Sequence, residues 1–326
     1  MNKTPFKVIY FGTPEFAIKP LEALLELSDV EVSAVVTKVD KPAKRGQRLT
    51  PPPVKVYAME RGIPVFQYES LKKEVKKFFL DIKPFGIISA GIVCAYGLII
   101  PKEVLEFSPV GLINIHPSLL PRWRGAAPIE RALLAGDKET GVSLMKLTEG
   151  LDQGPIYSSA RCEILPNDTA GTLRERLSCL GASLLKENLK LILTGKLLPK
   201  PQSEEGVTYA EKIAKEEGLI DFAKESAEEI ERKVRAFNPI PSAFTYLDGK
   251  RLKVLRAEVG TLGKSAKGYK PSQVIVAERG RFEVACKGAS SILLKEVQLE
   301  GKRAMVVEEF LNGYKIKEGA FLGRYG

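Results

Sequence analysis

The chain has 326 residues, of which 44% are hydrophobic and 28% charged, and its formal net charge is +10. This length suits about two globular domains, and the positive charge favours a polyanionic partner. The chain has one histidine, His116, and four cysteines with no Cys-x-x-Cys pair, which excludes sites with two histidines and argues against thiolate zinc sites and disulfide scaffolds.

Strands and helices alternate over the first two thirds of the chain. The predicted strands cover residues 7–11, 30–37, 85–90, 111–115, 142–147 and 156–164. Helices are predicted from the Gly12-Thr13-Pro14 turn to Leu27, over 71–82, and after Thr172, where Thr172 and Glu175 have the spacing of a capping box. This alternation predicts an α/β domain with a mainly parallel sheet and helices on both faces.

The longest uncharged apolar run covers residues 85–100. It is shorter than the roughly 20 residues that span a bilayer, and it contains three glycines. We therefore interpret it as a buried strand that enters a loop. We expect no membrane association, no export signal and a cytoplasmic location.

The composition changes near residues 198–206, which are polar and rich in proline and glycine, so we predict a linker at 201–206. It would separate a catalytic domain, 1–200, from a second domain, 207–326. In the second domain, Ser226 and Glu229 predict a capped helix that runs to Phe237. Short strands are predicted at 243–247, 252–259, 273–277, 282–285 and 292–297. Their spacing favours a small β-barrel.

Asn114 and His116 stand two residues apart at the end of an apolar strand, which Pro117 terminates. Alternation places both side chains on the same side of the strand, and the ends of parallel strands are where open α/β sheets bind ligands. An amide that stabilises an oxyanion, beside an imidazole that moves a proton, suits acyl-group chemistry. Taken alone, the pair also fits a turn cap and an ordinary buried histidine.

Asp152 lies in a loop between Gly150 and Gly154. A carboxylate held there can orient His116 or accept a proton from an amine. The local sequence fits an ordinary turn aspartate as well.

Two basic regions are candidates for phosphate contacts. Residues 38–55 carry six basic side chains, one acidic side chain and several prolines, and residues 251–270 of the predicted barrel are also basic. Each also fits a solvated surface. The sequence has no Gly-x-Gly-x-x-Gly, Walker or Gly-x-Ser-x-Gly motif, so a nicotinamide cofactor, a nucleoside triphosphate and serine-hydrolase chemistry are not indicated.

Asn114-x-His116-x-Ser118-Leu119-Leu120-Pro121 resembles the signature of formyltransferases that use 10-formyltetrahydrofolate. The continuation Arg122-Trp123-Arg124-Gly125-Ala126-Ala127-Pro128 is similar to the members that act on methionyl-tRNA. Further matches to those members occur at residues 12–17, 42–49, 95–101, 206–210, 215–217, 235–239 and 310–313.

The resemblance implies a Rossmann-like domain followed by a barrel that resembles an oligonucleotide-binding fold. It implies formyl transfer from 10-formyltetrahydrofolate to the α-amine of methionine on initiator tRNA, for translation initiation. We expect a monomer, and the chemistry requires no metal. The implied catalytic residues are Asn114, His116 and Asp152. The implied folate-binding residues are Tyr96, Gly97, Leu98, Ser118, Leu119, Leu120 and Pro121. The implied tRNA-binding residues are Lys44, Arg45, Arg48, Lys212, Arg251 and Lys253.

Other acceptors and another class of protein remain open at this point. A folate-dependent enzyme that acts on an amino-sugar nucleotide would share the folate site and a second domain. A glycinamide ribonucleotide formyltransferase needs no domain like 207–326. A non-catalytic RNA-binding protein would explain the charge and the barrel, but not the three candidate catalytic residues.

Overall fold

The computed structural model describes residues 4–43, 48–260, 266 and 268–323. These residues cluster into two compact units. The first comprises the described residues up to Pro128, with Glu139–Glu163 and Arg174–Ala210. The second comprises Ile129–Lys138, Ile164–Leu173 and the described residues from Glu211 onward. The domain boundaries at residues 200 and 207 stay a prediction.

Strands and helices alternate from Phe6 to Leu193, as the sequence predicted. The strands up to residue 210 are β1 (Phe6–Gly12), β2 (Val30–Lys38), β3 (Lys41–Ala43), β4 (Arg48–Thr50), β5 (Val65–Tyr68), β6 (Ala90–Cys94), β7 (Leu112–His116), β8 (Arg124–Gly125), β9 (Glu139–Lys146), β10 (Ile156–Glu163) and β11 (Tyr209–Ala210). The helices are α1 (Ile18–Leu25), α2 (Pro53–Met59), α3 (Val75–Ile82), α4 (Lys102–Leu105), α5 (Pro128–Ala135) and α6 (Ala170–Leu193).

Within the described residues, seven of these strands form one sheet in the order β10-β9-β7-β6-β1-β2-β5. The five strands from β7 to β5 are parallel, whereas β9 runs antiparallel to β7 and β10 antiparallel to β9. The predicted α/β class with a mainly parallel sheet is therefore confirmed. Because β1, β6 and β7 are parallel, their carboxyl ends, Gly12, Cys94 and His116, lie at the same edge.

Aromatic packing holds this edge of the sheet in place. Phe11 of β1 is fully buried, and its ring lies 5.6 Å from the ring of Tyr96 and 6.0 Å from that of Phe78 in α3. Burial of side chains of this size stabilises a fold by roughly 1.5–3 kcal/mol each. The loop after β6 is thus packed against β1 through its own tyrosine, and Phe11 of β1 also packs against α3.

The strand predicted at residues 85–90 is wrong in position. Residues Lys83–Phe85 form a 3₁₀ turn, Gly86 has a φ of 75°, and Ile87 is 86% exposed. The strand begins only at Ala90, which pairs with Val8 of β1. An apolar run without polar punctuation predicts a buried strand but does not locate its start.

The capping box predicted at Thr172 and Glu175 is also wrong. The helix starts three residues earlier than expected, and Thr169 is the capping residue. Thr169 Oγ1 accepts from the amide of Thr172 at 3.2 Å, and Thr172 Oγ1 accepts from the amide of Thr169 at 2.9 Å. Since threonine replaces the usual Glu at the third helical position, the pattern search passed over it.

The second unit contains an antiparallel sheet in the order β12-β13-β16-β15-β14, with β17 against β16. Its strands are β12 (Ala243–Leu247), β13 (Lys250–Val259), β14 (Val274–Glu278), β15 (Arg281–Ala285), β16 (Ser291–Leu299) and β17 (Met305–Val306), and its helices are α7 (Ala227–Ala236) and α8 (Val307–Gly313).

Residues 319–323 join the two outer strands of this sheet. Val274 of β14 donates to the carbonyl of Ala320 at 2.7 Å, and Gly323 donates to the carbonyl of Tyr246 in β12 at 2.9 Å. The sheet therefore closes through this segment, which agrees with the predicted barrel. The barrel interior holds a buried apolar cluster that includes Phe282, Val284 and Leu294.

The predicted cap of α7 is confirmed. Ser226 Oγ accepts from the amide of Glu229 at 3.3 Å, and the Glu229 carboxylate accepts from the amide of Ser226 at 2.7 Å. Within the described residues, no helix has the length and apolar character needed to cross a bilayer.

Candidate active site

The carboxyl end of β7 presents an amide and an imidazole. Asn114 pairs through its backbone with Val93 of β6, and His116 pairs with Ser143 of β9. Asn114 is 9% exposed and His116 is 4% exposed. Both side chains are therefore held in a largely water-free environment, where electrostatic interactions are stronger than in water.

A backbone carbonyl sets the orientation of the His116 ring. Nε2 lies 2.9 Å from the carbonyl oxygen of Trp123. Because a carbonyl only accepts, Nε2 carries a hydrogen and donates it. In the neutral ring, Nδ1 is then the nitrogen with a free lone pair, and it is the atom that can take up a proton.

Asp152 faces that nitrogen. Its Oδ2 lies 3.7 Å from Nδ1 of His116, and its side chain is 13% exposed. This distance is too long for a direct hydrogen bond but short enough for the carboxylate to attract a positive charge on the ring. An N–H group of a bound molecule that reached both atoms could donate a hydrogen bond to either one.

Asp152 is held by hydrogen bonds to its side chain and to its backbone carbonyl. Its φ is 48°, in the left-handed region that non-glycine residues seldom adopt. The amide of Gly125 donates to Oδ2 at 2.9 Å. Behind it, Gln202 Nε2 donates to the carbonyl oxygens of Asp152 and Gly154, each at 2.8 Å.

The segment after the His116 loop is held by residues 202–210. The amide of Trp123, whose φ is 64°, donates to Thr208 Oγ1 at 2.8 Å. Next to it, β8 pairs in parallel with β11. Arg124 is 5% exposed, and its Nε and Nη2 donate to Gln202 Oε1 at 3.1 and 2.8 Å.

The Asn114 amide is available to a reacting group. Among the residues that the structure describes, none makes a side-chain hydrogen bond with it. A buried amide with an unused N–H donor stabilises an oxyanion without prior rearrangement. The structure therefore brings Asn114, His116 and Asp152 together as the sequence predicted, while their catalytic roles stay a prediction.

Tyr96, Gly97 and Leu98, predicted to bind folate, follow β6 at the same edge of the sheet. The backbone carbonyl of Tyr96 accepts from Thr13 Oγ1 at 2.8 Å. The Tyr96 ring is 2% exposed, and burial raises the pKa of its hydroxyl well above the usual value, so the group stays protonated at neutral pH. Gly97 has a φ of 76°, and a side chain there would collide with Lys38.

The predicted folate residues from Ser118 to Pro121 form a fixed loop after β7. Ser118 is fully buried, and its hydroxyl donates to the carbonyl of Arg122 at 2.6 Å. Ser143 donates through Oγ to the Ser118 carbonyl at 2.8 Å and accepts from the Leu120 amide at 3.2 Å. The Ser118 hydroxyl is thus hydrogen-bonded within the loop that also carries Leu119, Leu120 and Pro121.

The predicted tRNA residues are spread over both units. Lys44 and Arg45 lie outside the described residues, Arg48 begins β4, and Lys212 is exposed in the second unit. Arg251 and Lys253 lie two apart on β13. They line a cavity of about 240 Å³ with Gln298, Leu299, Glu300 and Gly301. The Arg251 guanidinium lies 3.5 Å from the centre of the Phe244 ring.

Four groups that hold the site were missed by the sequence analysis: the Trp123 carbonyl, the Gly125 amide, Gln202 and Thr208. The matches at residues 122–128 and 206–210 included Trp123, Gly125 and Thr208 without showing what they hold, whereas the composition around Gln202 favoured a linker. Nothing local in the sequence connects Gln202 to a loop 50 residues away.

Among the described residues, no group of three or more histidine, cysteine, aspartate or glutamate side chains could hold a metal ion.

Known solved structures share this fold. The N-formyltransferase of Helicobacter canadensis, in complex with folinic acid and dTDP-3-aminofucose, is 22% identical with a TM-score of 0.63, covering 89% of this chain and 98% of its own. The methionyl-tRNA formyltransferase of Clostridium thermocellum is 20% identical with a TM-score of 0.54, covering 78% of this chain and 93% of its own.

Sequence comparison identifies the family. The methionyl-tRNA formyltransferase of Myxococcus xanthus is 44% identical over 319 residues, which are 96% of this chain and 97% of that protein. The profile described as formyl transferase matches residues 6–189, and the profile described as formyl transferase, C-terminal domain, matches residues 212–315. The resemblance drawn from residues 114–128 is thereby confirmed, and the chain belongs to the formyl transferase family.

Proposed function

We propose that the chain transfers the formyl group of 10-formyltetrahydrofolate to the α-amino group of methionine on initiator methionyl-tRNA, for translation initiation. The observation that carries this function is the 44% identity to a methionyl-tRNA formyltransferase over 96% of the chain. The meeting of Asn114, His116 and Asp152 at one edge of the sheet supplies groups that suit this chemistry.

The reaction requires one proton to leave the methionyl amine and one to reach N10 of the folate. The amine nitrogen forms a bond to the formyl carbon, and the bond from that carbon to N10 breaks. The Nδ1 lone pair of His116 takes the amine proton, because Nε2 already carries a hydrogen, which it donates to the Trp123 carbonyl. Asp152 stabilises the resulting charge on the ring, and the same proton then passes to the departing N10.

Asn114 has a different task from the other two residues. During attack, the formyl oxygen gains negative charge, and the Asn114 amide donates a hydrogen bond to it. Holding the two substrates together contributes further, since well-oriented reactants can gain roughly 7–11 kcal/mol. The protein itself supplies binding, orientation, proton transfer and the hydrogen bond to the formyl oxygen in this scheme.

We assign the folate contacts to Tyr96, Gly97, Leu98, Ser118, Leu119, Leu120 and Pro121, and the tRNA contacts to Lys44, Arg45, Arg48, Lys212, Arg251 and Lys253. The position of Tyr96–Leu98 at the same sheet edge as His116 supports the first set. The shared cavity of Arg251 and Lys253 supports part of the second.

The test is formyl transfer from labelled 10-formyltetrahydrofolate to charged initiator methionyl-tRNA. Elongator methionyl-tRNA, uncharged tRNA and an amino-sugar nucleotide run in parallel. We expect label on charged initiator tRNA alone. Label on the sugar instead would keep the chemistry and overturn the acceptor, and RNA binding without any transfer would overturn the enzyme.

We also propose that the protein acts as a monomer in the cytoplasm. The absence of a membrane-spanning helix among the described residues is compatible with this location. Light scattering during gel filtration should give a mass near 35.9 kDa. A mass of twice that value would overturn the monomer.

A further inference from the structure

We propose that Gln202 and Thr208, in and beside the segment that the sequence marked as a linker, are positioning residues for Asp152 and His116. The inference deepens the proposed function and rests on it for its kinetic test. Neither side chain contacts Nδ1 of His116 or the carboxylate of Asp152. Gln202 acts through the backbone of the loop that carries Asp152. Thr208 acts through the backbone of Trp123, whose carbonyl orients the His116 ring.

Gln202 holds the Asp152 loop through hydrogen bonds to its backbone. Its two amide hydrogens go to the carbonyls of Asp152 and Gly154. Asp152 has a left-handed backbone, which any residue other than glycine adopts only in a minority of cases and which the surrounding contacts must hold. The double contact therefore stabilises the one backbone arrangement that places Oδ2 at 3.7 Å from the imidazole.

Arg124 determines which way the Gln202 amide points. An arginine only donates, and both Nε and Nη2 point at Oε1 of Gln202. The amide nitrogen must then face the Asp152 loop. Because Arg124 and Gly125 are neighbours in β8, the same strand holds the Asp152 backbone through Gln202 and its carboxylate through the Gly125 amide.

Thr208 acts on His116 by way of Trp123. Its Oγ1 accepts from the Trp123 amide, and Trp123 is also held in the left-handed region. The carbonyl of this residue is the one that accepts from Nε2 of His116. Thr208 thus fixes the acceptor that assigns the hydrogen to Nε2 and leaves Nδ1 to face Asp152.

The test of Gln202 is the variant Gln202→Glu. A carboxylate still accepts from Arg124, so local packing is preserved, but it cannot donate to the two carbonyls. We expect kcat for methionyl-tRNA to fall about 10- to 100-fold, the scale of a misplaced catalytic group, while KM for the folate changes less than about twofold. The control is Ser203→Ala in the same segment: among the residues that the structure describes, the Ser203 hydroxyl accepts a hydrogen bond only from the exposed amide of Glu205.

A double-mutant cycle separates positioning from general damage. In the background of Asp152→Ala, Gln202→Glu should lower the residual rate by less than about twofold, because the group that it positions is gone. An equal loss in both backgrounds, or a wild-type kcat in Gln202→Glu, overturns the proposal for Gln202. A wild-type protein that transfers no formyl group overturns the proposed function instead.

The test of Thr208 needs no activity, because His116 is the only histidine in the chain. In ¹⁵N-labelled protein, one pair of imidazole nitrogen signals reports its tautomer. We expect the Nε2–H form in the wild type and in Thr208→Ser, and a mixture of tautomers in Thr208→Val. An unchanged tautomer in Thr208→Val, or an Nδ1–H form in the wild type, overturns the proposal for Thr208.

Discussion

The edge of the sheet in the first unit and the barrel of the second unit present their functional candidates in opposite ways. At the sheet edge, Asn114 and His116 are almost completely buried, and hydrogen bonds from the loops fix His116 and Asp152. On the barrel, Arg251 and Lys253 lie along a strand and line an open cavity. Chemistry at the first region therefore depends on single atoms, whereas binding at the second depends on summed charge. Substitutions should have steep effects in one region and graded effects in the other.

The largest expected effect is that of His116→Ala. Since general acid–base catalysis contributes typically about 10²–10⁴-fold, kcat should fall by that factor. The affinity for folate and for tRNA should stay within about threefold of the wild type, because among the described residues the ring makes no side-chain hydrogen bond to the 118–121 loop. Single-turnover kinetics with each substrate at saturation measures this directly. A rate within tenfold of the wild type would contradict the role of His116.

A smaller loss should follow from Gly125→Ala, which tests whether backbone geometry controls the site. Gly125 has a φ of 120°, and a Cβ there would lie 2.7 Å from the carbonyl oxygen of Ala210. The clash must move the amide that donates to Asp152, so we expect kcat to fall by about 10- to 100-fold.

The matched control for that variant is Gly62→Ala. Gly62 also has a positive φ, 67°, but a Cβ there meets nothing within 4 Å. Both variants place an alanine at a positive φ, and only one adds a collision near the active site. Equal kinetic losses in the two would show that conformational strain, rather than the Gly125 position, limits the rate.

The same contrast explains what the sequence could predict. The end of β7 was located because Pro117 terminates an apolar strand, and the cap of α7 was found because Ser226 and Glu229 interact over three residues. These are local signals, which a single sequence contains in full. The parallel sheet followed from the order of the elements, and the closeness of His116 and Asp152 followed from the resemblance.

Long-range contacts were beyond the sequence. Gln202 reaches a carbonyl 50 residues earlier, and Thr208 holds an amide 85 residues earlier. No periodicity encodes such pairs, so a polar, proline-containing segment was interpreted as a linker. The start of β6 was missed for a different reason: residues 85–94 are apolar apart from Ser89, and only pairing of Ala90 with Val8 determines where the strand begins.

On the barrel, neutralising Arg251 and Lys253 should act on binding and not on chemistry. In the double variant Arg251→Gln, Lys253→Gln, tRNA affinity should fall by about tenfold at moderate salt, and the slope of affinity against salt should decrease by about 2. The rate at saturating tRNA should be unchanged. Filter binding over a series of salt concentrations measures both quantities.

Lys224→Gln is the control for the loss of one positive charge elsewhere in the same unit. Lys224 is 83% exposed, pairs with Asp221 and does not line the cavity of Arg251. If this variant changes the salt slope as much per charge as the barrel pair does, the second unit binds tRNA through its overall charge and not through β13.

The smallest expected effect belongs to the cap of α7, which contributes to stability and not to either function. Ser226→Ala should lower the free energy of unfolding by about 1 kcal/mol, because the amide of Glu229 loses its acceptor.

The hydrogen bond from the Ser226 amide lowers the pKa of Glu229 below its ordinary value. A lowered folded-state pKa stabilises the fold above the pKa of the unfolded carboxyl, and this contribution is lost as the pH falls through the folded-state value. The stability difference between wild type and Glu229→Gln should therefore shrink on acidification, as urea unfolding at about pH 7 and about pH 3 would measure. A difference that grew in acid would mean that the carboxylate is not the group that the Ser226 amide stabilises.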